Sequence, residues 1–195
     1  MFVDEAYIDF SPESSTVALT AKYPNLIVSQ TLSKAFGCAG VRLGWAISTP
    51  EMAAVFNKTK APYNISTPTS LLAKAALDAS GVAVMRGKVE QLIQQRAALL
   101  TAVSDIPFFG PVLGGNDANF VLVTVVNRAG KPSNTLAQQI YTRLAEHEGV
   151  VVRFRGNEPG CLGALRVTVG TAEENAILLQ RLRGPAIANL VAAFQ

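Results

Sequence analysis

Two cysteines, one histidine and one tryptophan in 195 residues leave little material for several kinds of chemistry. Cys38 and Cys161 stand alone, at no spacing that marks a disulfide framework or a zinc site, so a reducing, cytoplasmic setting is expected. The single histidine, His147, lies between Glu146 and Glu148 near an expected helix end, a poor setting for a metal site or a histidine-based catalytic pair. Charge is sparse too. Only 16% of residues are charged, 17 basic against 14 acidic, and no block of like charges is long enough for a nucleic-acid-binding arm. Small anionic ligands remain compatible with the net charge of +3. Long apolar runs are missing as well: the longest candidate, residues 186–194, is far short of the ~20 residues a spanning helix needs. Asp4, Glu5 and Asp9 fall where a secretory leader requires a basic region and an apolar core. There is no internal repeat and no low-complexity tract.

What is present is apolar. Hydrophobic residues make up 49% of the chain, enough for a sizeable core, and with so few charges some of that surface is expected to need a partner. Short apolar runs at residues 1–3, 26–29 and 43–47 read as strands in a parallel α/β layer. Thr49 followed by Pro50 and Glu51 predicts a helix to about Thr59, with threonine as cap and proline at the first helical position. A proline-bounded loop at residues 61–68 follows. Residues 69–105 read as helical, with Val89, Leu92, Ile93, Arg96, Leu99, Leu100 and Val103 on one face and a break or bend at Gly81 and Gly87. The prolines and glycines of residues 107–116 mark the expected domain boundary, giving domains 1–106 and 107–195. Beyond it, strands at 119–126, 150–153 and 164–169 and helices at 135–148 and 171–182 describe a small α+β domain. Thr171 with Glu174 forms the signature of a capping box.

The stretch Thr31-Leu-Ser-Lys34, followed by Gly37, Gly40, Arg42 and Gly44, carries the most chemical information. A lysine on a short loop after a strand can act as a nucleophile, and the hydroxyls of Thr31 and Ser33 with the Arg42 guanidinium are donors suited to a phosphate. The glycines follow the lysine, whereas a nucleotide-binding P-loop needs them before it. A solvated turn is the plain alternative. Asp4-Glu-Ala-Tyr7 stands thirty positions earlier at another strand end, the edge at which parallel sheets place ligands. Its carboxylate and phenol could hold a protonated ring nitrogen and a neighbouring oxygen, or the acidic pair could serve a metal. Arg166 lies on an alternating strand, on the face opposite Leu165, Val167 and Val169, where an anionic ligand or a cross-strand partner would meet it. Arg153 is a second candidate of the same kind. Tyr63 and Asn64 read as part of a proline-bounded turn.

Taken together, Val3-Asp-Glu-Ala-Tyr-Ile-Asp-Phe10, Thr31-Leu-Ser-Lys-Ala-Phe-Gly37, Ala39-Gly-Val-Arg-Leu-Gly44, Ala61-Pro-Tyr-Asn-Ile-Ser66 and Leu165-Arg-Val-Thr-Val-Gly170 resemble the histidinol-phosphate aminotransferases within fold-type I. These are enzymes of amino-acid biosynthesis that use pyridoxal 5'-phosphate. The resemblance covers nearly the whole chain. It implies part of an aminotransferase large domain, a mostly parallel sheet with helices, followed by a small α+β C-terminal domain. Lys34 would carry the cofactor covalently and move the proton. Asp4 would pair with its ring nitrogen, Tyr7 with its ring oxygen, and Thr31, Ser33 and Arg42 with its phosphate. Arg166 would bind the substrate carboxylate and Arg153 the substrate phosphate, with L-histidinol phosphate and 2-oxoglutarate (forming glutamate) as substrates and a homodimer as the assembly. Only this resemblance implies that Tyr63 and Asn64 approach a neighbouring subunit. No metal, nucleic acid or membrane is implied. The match corresponds to the C-terminal half of such a chain, so the isolated segment is expected to show no measurable turnover. A related decarboxylase of phosphorylated amino acids, an inactive fragment and an interaction module are the alternative readings.

Overall fold

Strands β1 (Phe2–Asp4) and β2 (Ile27–Thr31) run parallel, pairing Phe2 with Ile27 and Asp4 with Ser29, so both end at the same sheet edge. β3 (Gly44–Ile47) completes this sheet antiparallel to β2, pairing Thr31 with Gly44 and Val28 with Ile47. The mostly parallel layer expected from the sequence is thus a mixed one. Parallel neighbours need a crossover, and the segment joining β2 to β3 holds only turns and a short 3-10 helix, Ala39–Val41, so it folds the chain straight back. The structure is a computed structural model and describes residues 1–194. The chain divides into two compact units, Met1–Glu90 and Gln91–Gln195.

In the first unit, helix α1 (Pro50–Thr59) starts where the sequence places it, with the Thr49 side chain accepting a hydrogen bond from the Met52 amide. The long helical stretch is two helices, α2 (Thr67–Leu77) and α3 (Ala79–Ser104). The break falls at Asp78 rather than at Gly81 or Gly87. Asp78 accepts from the Ser80 hydroxyl at 2.8 Å and the Gly81 amide at 2.7 Å, and so caps α3. Gly81 contributes by its missing side chain, since a Cβ there would lie 2.4 Å from the Ala76 carbonyl oxygen. Gly87 lies inside α3 with open space around it.

The division between the units falls inside α3. The reason is packing: Leu99 and Val103, each 1% exposed, belong to the second unit's apolar core. The proline- and glycine-rich stretch instead contains a strand, β4 (Phe109–Leu113). It pairs antiparallel with β5 (Phe120–Val125), with an irregularity between Phe109 and Val112 that accommodates Pro111 on an edge strand. The sheet order is β4-β5-β7-β6, all antiparallel, with β6 (Arg153–Phe154) at the other edge and β7 (Ala164–Thr168) inside. Residues 150–152, expected as strand, lead into β6.

Alternation decides which face of this sheet is covered. Val121, Val123 and Val125 of β5 and Leu165 and Val167 of β7 are buried together with Leu136, Ile140 and Leu144, one stripe of helix α4 (Asn134–His147). α4 is fixed at its start by the Ser133 side chain, which accepts from the Leu136 amide, and by Asn134, which bridges the Gly156 carbonyl and the Gly163 amide. Helix α5 (Ala172–Leu182) carries the expected capping box of Thr171 and Glu174. Helix α6 (Pro185–Ala193) follows and packs on α4 and α5 through Ile187. Among the described residues, no helix is long and apolar enough to cross a membrane.

Candidate active site

The parallel pairing of β1 and β2 puts the segments that follow them side by side. Asp4 ends β1, and its Oδ1 accepts from the Ala6 amide at 3.0 Å and from the Ser29 hydroxyl of the neighbouring strand at 3.2 Å. Tyr7 leads into a short 3-10 turn, Ile8–Phe10. Lys34 lies in the turn after β2, and its Nζ stands 5.1 Å from the centre of the Tyr7 ring. That distance is within cation–π range, so the ring face holds the amine near the β1 end without a carboxylate neutralising it. The one ion pair among the described residues, Arg143 with Glu148 at 3.0 Å, does not involve Lys34.

Thr31 and Ser33 are brought together ahead of the lysine. The Thr31 hydroxyl donates to the Ser33 hydroxyl at 3.0 Å and receives the Ser33 amide at 3.1 Å, which orients both side chains in one turn. Arg42 behaves differently. It sits in the left-handed region at φ 53°, is exposed, and donates to the Ala39 carbonyl of its own turn at 3.0 Å. In the other unit, Arg166 and Arg153 are direct cross-strand partners on β7 and β6, and Arg166 also faces Leu122 of β5. Two guanidinium groups in one row, with no acidic partner among the described residues, form a site whose electrostatics favour an anion. His147 is exposed, and the described residues contain no metal-binding cluster. Both cysteines are free thiols. Tyr63 is fully exposed at φ 52°, a backbone region that bulky side chains seldom occupy.

Glu5 has a role that the sequence did not disclose. It is 6% exposed, and its carboxylate accepts from the Ser15 hydroxyl at 2.6 Å, the Thr16 amide at 2.6 Å, the Thr16 hydroxyl at 2.7 Å and the Gln30 amide nitrogen at 3.0 Å. Gln30 in turn accepts from the Trp45 indole at 3.1 Å, so the network ties β2 and β3 to the 3-10 helix Thr16–Ala21. Burial by itself would push the Glu5 carboxyl up, but the bonds from Ser15, Gln30 and Thr16 outweigh it and hold it below the usual 4.5. A lowered folded-state value means stability that is fully present above the unfolded value and is lost as pH falls through the folded one. Glu5→Gln should therefore flatten the acid limb of a urea-unfolding series and lower stability at neutral pH by about 1–3 kcal/mol. An unchanged acid limb would show that another carboxyl governs it.

The chain belongs to the aminotransferase class I and II family, whose family model matches residues 1–182. Among individual proteins, it is 50% identical over 184 residues to the histidinol-phosphate aminotransferase of Schizosaccharomyces pombe, covering 93% of this chain and 48% of that one. It is 46% identical over 179 residues to the Saccharomyces cerevisiae protein of the same name, covering 91% and 45%. The crystal structure of histidinol-phosphate aminotransferase from Sinorhizobium meliloti in complex with pyridoxal-5'-phosphate superposes with a TM-score of 0.83 at 26% identity, over 97% of this chain and 49% of that one. The chain spans about half the length of the curated relatives it matches.

Proposed function

We propose that this chain supplies the lysine-bearing part of a pyridoxal 5'-phosphate-dependent histidinol-phosphate transaminase, which exchanges an amino group between L-histidinol phosphate and 2-oxoglutarate in histidine biosynthesis. The observation that carries the reading is the placement of Lys34 Nζ over the Tyr7 ring, beside the parallel strand end that holds Asp4. The residues suit the cofactor: an amine without a carboxylate partner, a carboxylate at the neighbouring strand end, a phenol, and paired hydroxyls in the same turn. When bound, the cofactor supplies an electron sink for the carbon that loses its proton.

In this reading Lys34 Nζ would hold the cofactor covalently and would carry the proton. The Asp4 carboxylate would pair with the ring nitrogen and favour its protonated form, and the Tyr7 phenol would hydrogen-bond the ring oxygen. Thr31, Ser33 and Arg42 hold the phosphate, Arg42 after turning from Ala39. Arg166 binds a substrate carboxylate and Arg153 the substrate phosphate. Residues 1–106 then form part of the cofactor-binding large domain and residues 107–195 the small C-terminal domain of a cytoplasmic homodimer. The exposed apolar residues of the first unit, among them Phe56, Tyr63, Ile65, Leu71 and Leu72, support a covered surface there. Incubation with pyridoxal 5'-phosphate, reduction with borohydride and peptide mapping tests the reading. Lys34 should carry the label ahead of every other lysine. A label spread evenly over Lys22, Lys58, Lys60 and Lys34 would overturn it.

A further inference from the structure

Arg166 is an unusual arginine for a strand. Its Nε is buried and has no hydrogen-bond partner among the described residues, and its guanidinium carbon lies 5.1 Å from the centre of the Phe120 ring. A buried N–H without an acceptor calls for an explanation, because native structures satisfy nearly all such groups. The sheet register gives one. Phe120 pairs with Thr168 and Leu122 with Arg166, so Phe120 is the diagonal neighbour of Arg166 on the same face of β5 and β7, within reach of a long side chain. On the opposite flank Arg153 stands directly across from Arg166 and repels it. One neighbour attracts the guanidinium through its ring face and the other pushes it the same way.

We propose that Phe120 is the positioning residue for Arg166, fixing the guanidinium over its ring so that the terminal nitrogens are ordered before any carboxylate arrives. This rests on the carboxylate-binding reading of Arg166. An unrestrained arginine samples many rotamers, and ordering it on binding weakens affinity; a ring that holds it beforehand removes that loss. A cavity of about 300 Å³ lined by Asn116, Ala118, Phe120 and Leu122 opens beside the same residues, and the buried Asn116 Oδ1 also lacks a partner among the described residues. Phe120 thus borders space on the side where a ligand of Arg166 would extend.

The test compares the 195-residue chain with Phe120→Tyr, which keeps the ring, and Phe120→Leu, which keeps the apolar bulk without it. The readout is the Arg166 Nε–Hε signal by NMR, assigned by its loss in Arg166→Lys. In the parent chain and Phe120→Tyr this signal should show a ring-current shift and the slow motion of a fixed side chain. In Phe120→Leu it should move to the free-arginine position with fast motion. Titration with 2-oxoglutarate, followed on the same signal, should be about fivefold to tenfold weaker in Phe120→Leu and within about twofold of the parent in Phe120→Tyr. A Phe120→Leu signal as shifted and as ordered as the parent's overturns the positioning role. If 2-oxoglutarate perturbs nothing near Arg166 in the parent, the carboxylate reading falls, while shift and mobility still decide what Phe120 does.

Discussion

Lys34→Ala, introduced into the chain completed with the remaining half that its relatives carry, is expected to cut transamination by at least about ten-thousandfold. The magnitude follows from two tasks assigned to one atom. Nζ makes the covalent attachment and also carries the proton, and a positioned acid–base group alone contributes up to about that factor. Lys34→Arg should fail almost as completely. It keeps a cation that can lie over Tyr7, but a guanidinium stays protonated and is no nucleophile. Initial rates with histidinol phosphate and 2-oxoglutarate measure both variants. Activity within tenfold of the parent in either one would assign the chemistry to a different residue.

Arg166→Ala should spare the cofactor and damage the use of substrate. Truncating one partner of a buried charge pair commonly costs about 2–5 kcal/mol, which corresponds to a loss of about thirtyfold to several thousandfold in the kcat/KM of the 2-oxoglutarate half-reaction. Cofactor affinity should move little, because Arg166 lies on β7 of the second unit whereas the residues assigned to the cofactor all belong to the first. Arg166→Lys should recover only part of the loss, since an ammonium cannot form the two-pronged contact. Equal losses in cofactor binding and in substrate use would mean that the substitution acts through folding of the sheet.

Local chemistry was the part most legible in the sequence. The caps at Thr49 and Thr171 fall where residue types required them, because a cap depends on neighbours within one turn. The pairing of β1 with β2 was also foreseeable, as was the approach of Lys34 to Tyr7, since both follow from two strands ending at one edge. Long-range facts were not legible. β3 reads as one more apolar strand, and nothing within it encodes that it turns antiparallel. That Pro111 and Gly110 lie in a strand was hidden, because composition cannot tell an irregular edge strand from a loop. Asp78 gave no sign of ending a helix that the glycines after it seemed better placed to break. Glu5 passed as the second half of an acidic pair, since its partners Ser15, Thr16 and Gln30 become neighbours only once the chain has folded. Phe120 read only as part of the strand at 119–126, and its contact with Arg166 depends on strand register.

The edges of the two sheets bear on how the polypeptide behaves before it is fully assembled. In the second unit, β4 is interrupted at Pro111, which has no N–H to donate, and β6 at the far side is only two residues long, so neither rim offers a regular template for a foreign strand. The first unit has no such protection at β1, an edge strand whose Phe2 is 60% exposed, and the same unit leaves Phe56, Leu71 and Leu72 uncovered. Self-association of a nascent or unpartnered chain would therefore start from the lysine-bearing unit. The antiparallel sheet should stay a bystander in any aggregate that forms, and solubility will depend on how soon the β1 side finds its cover.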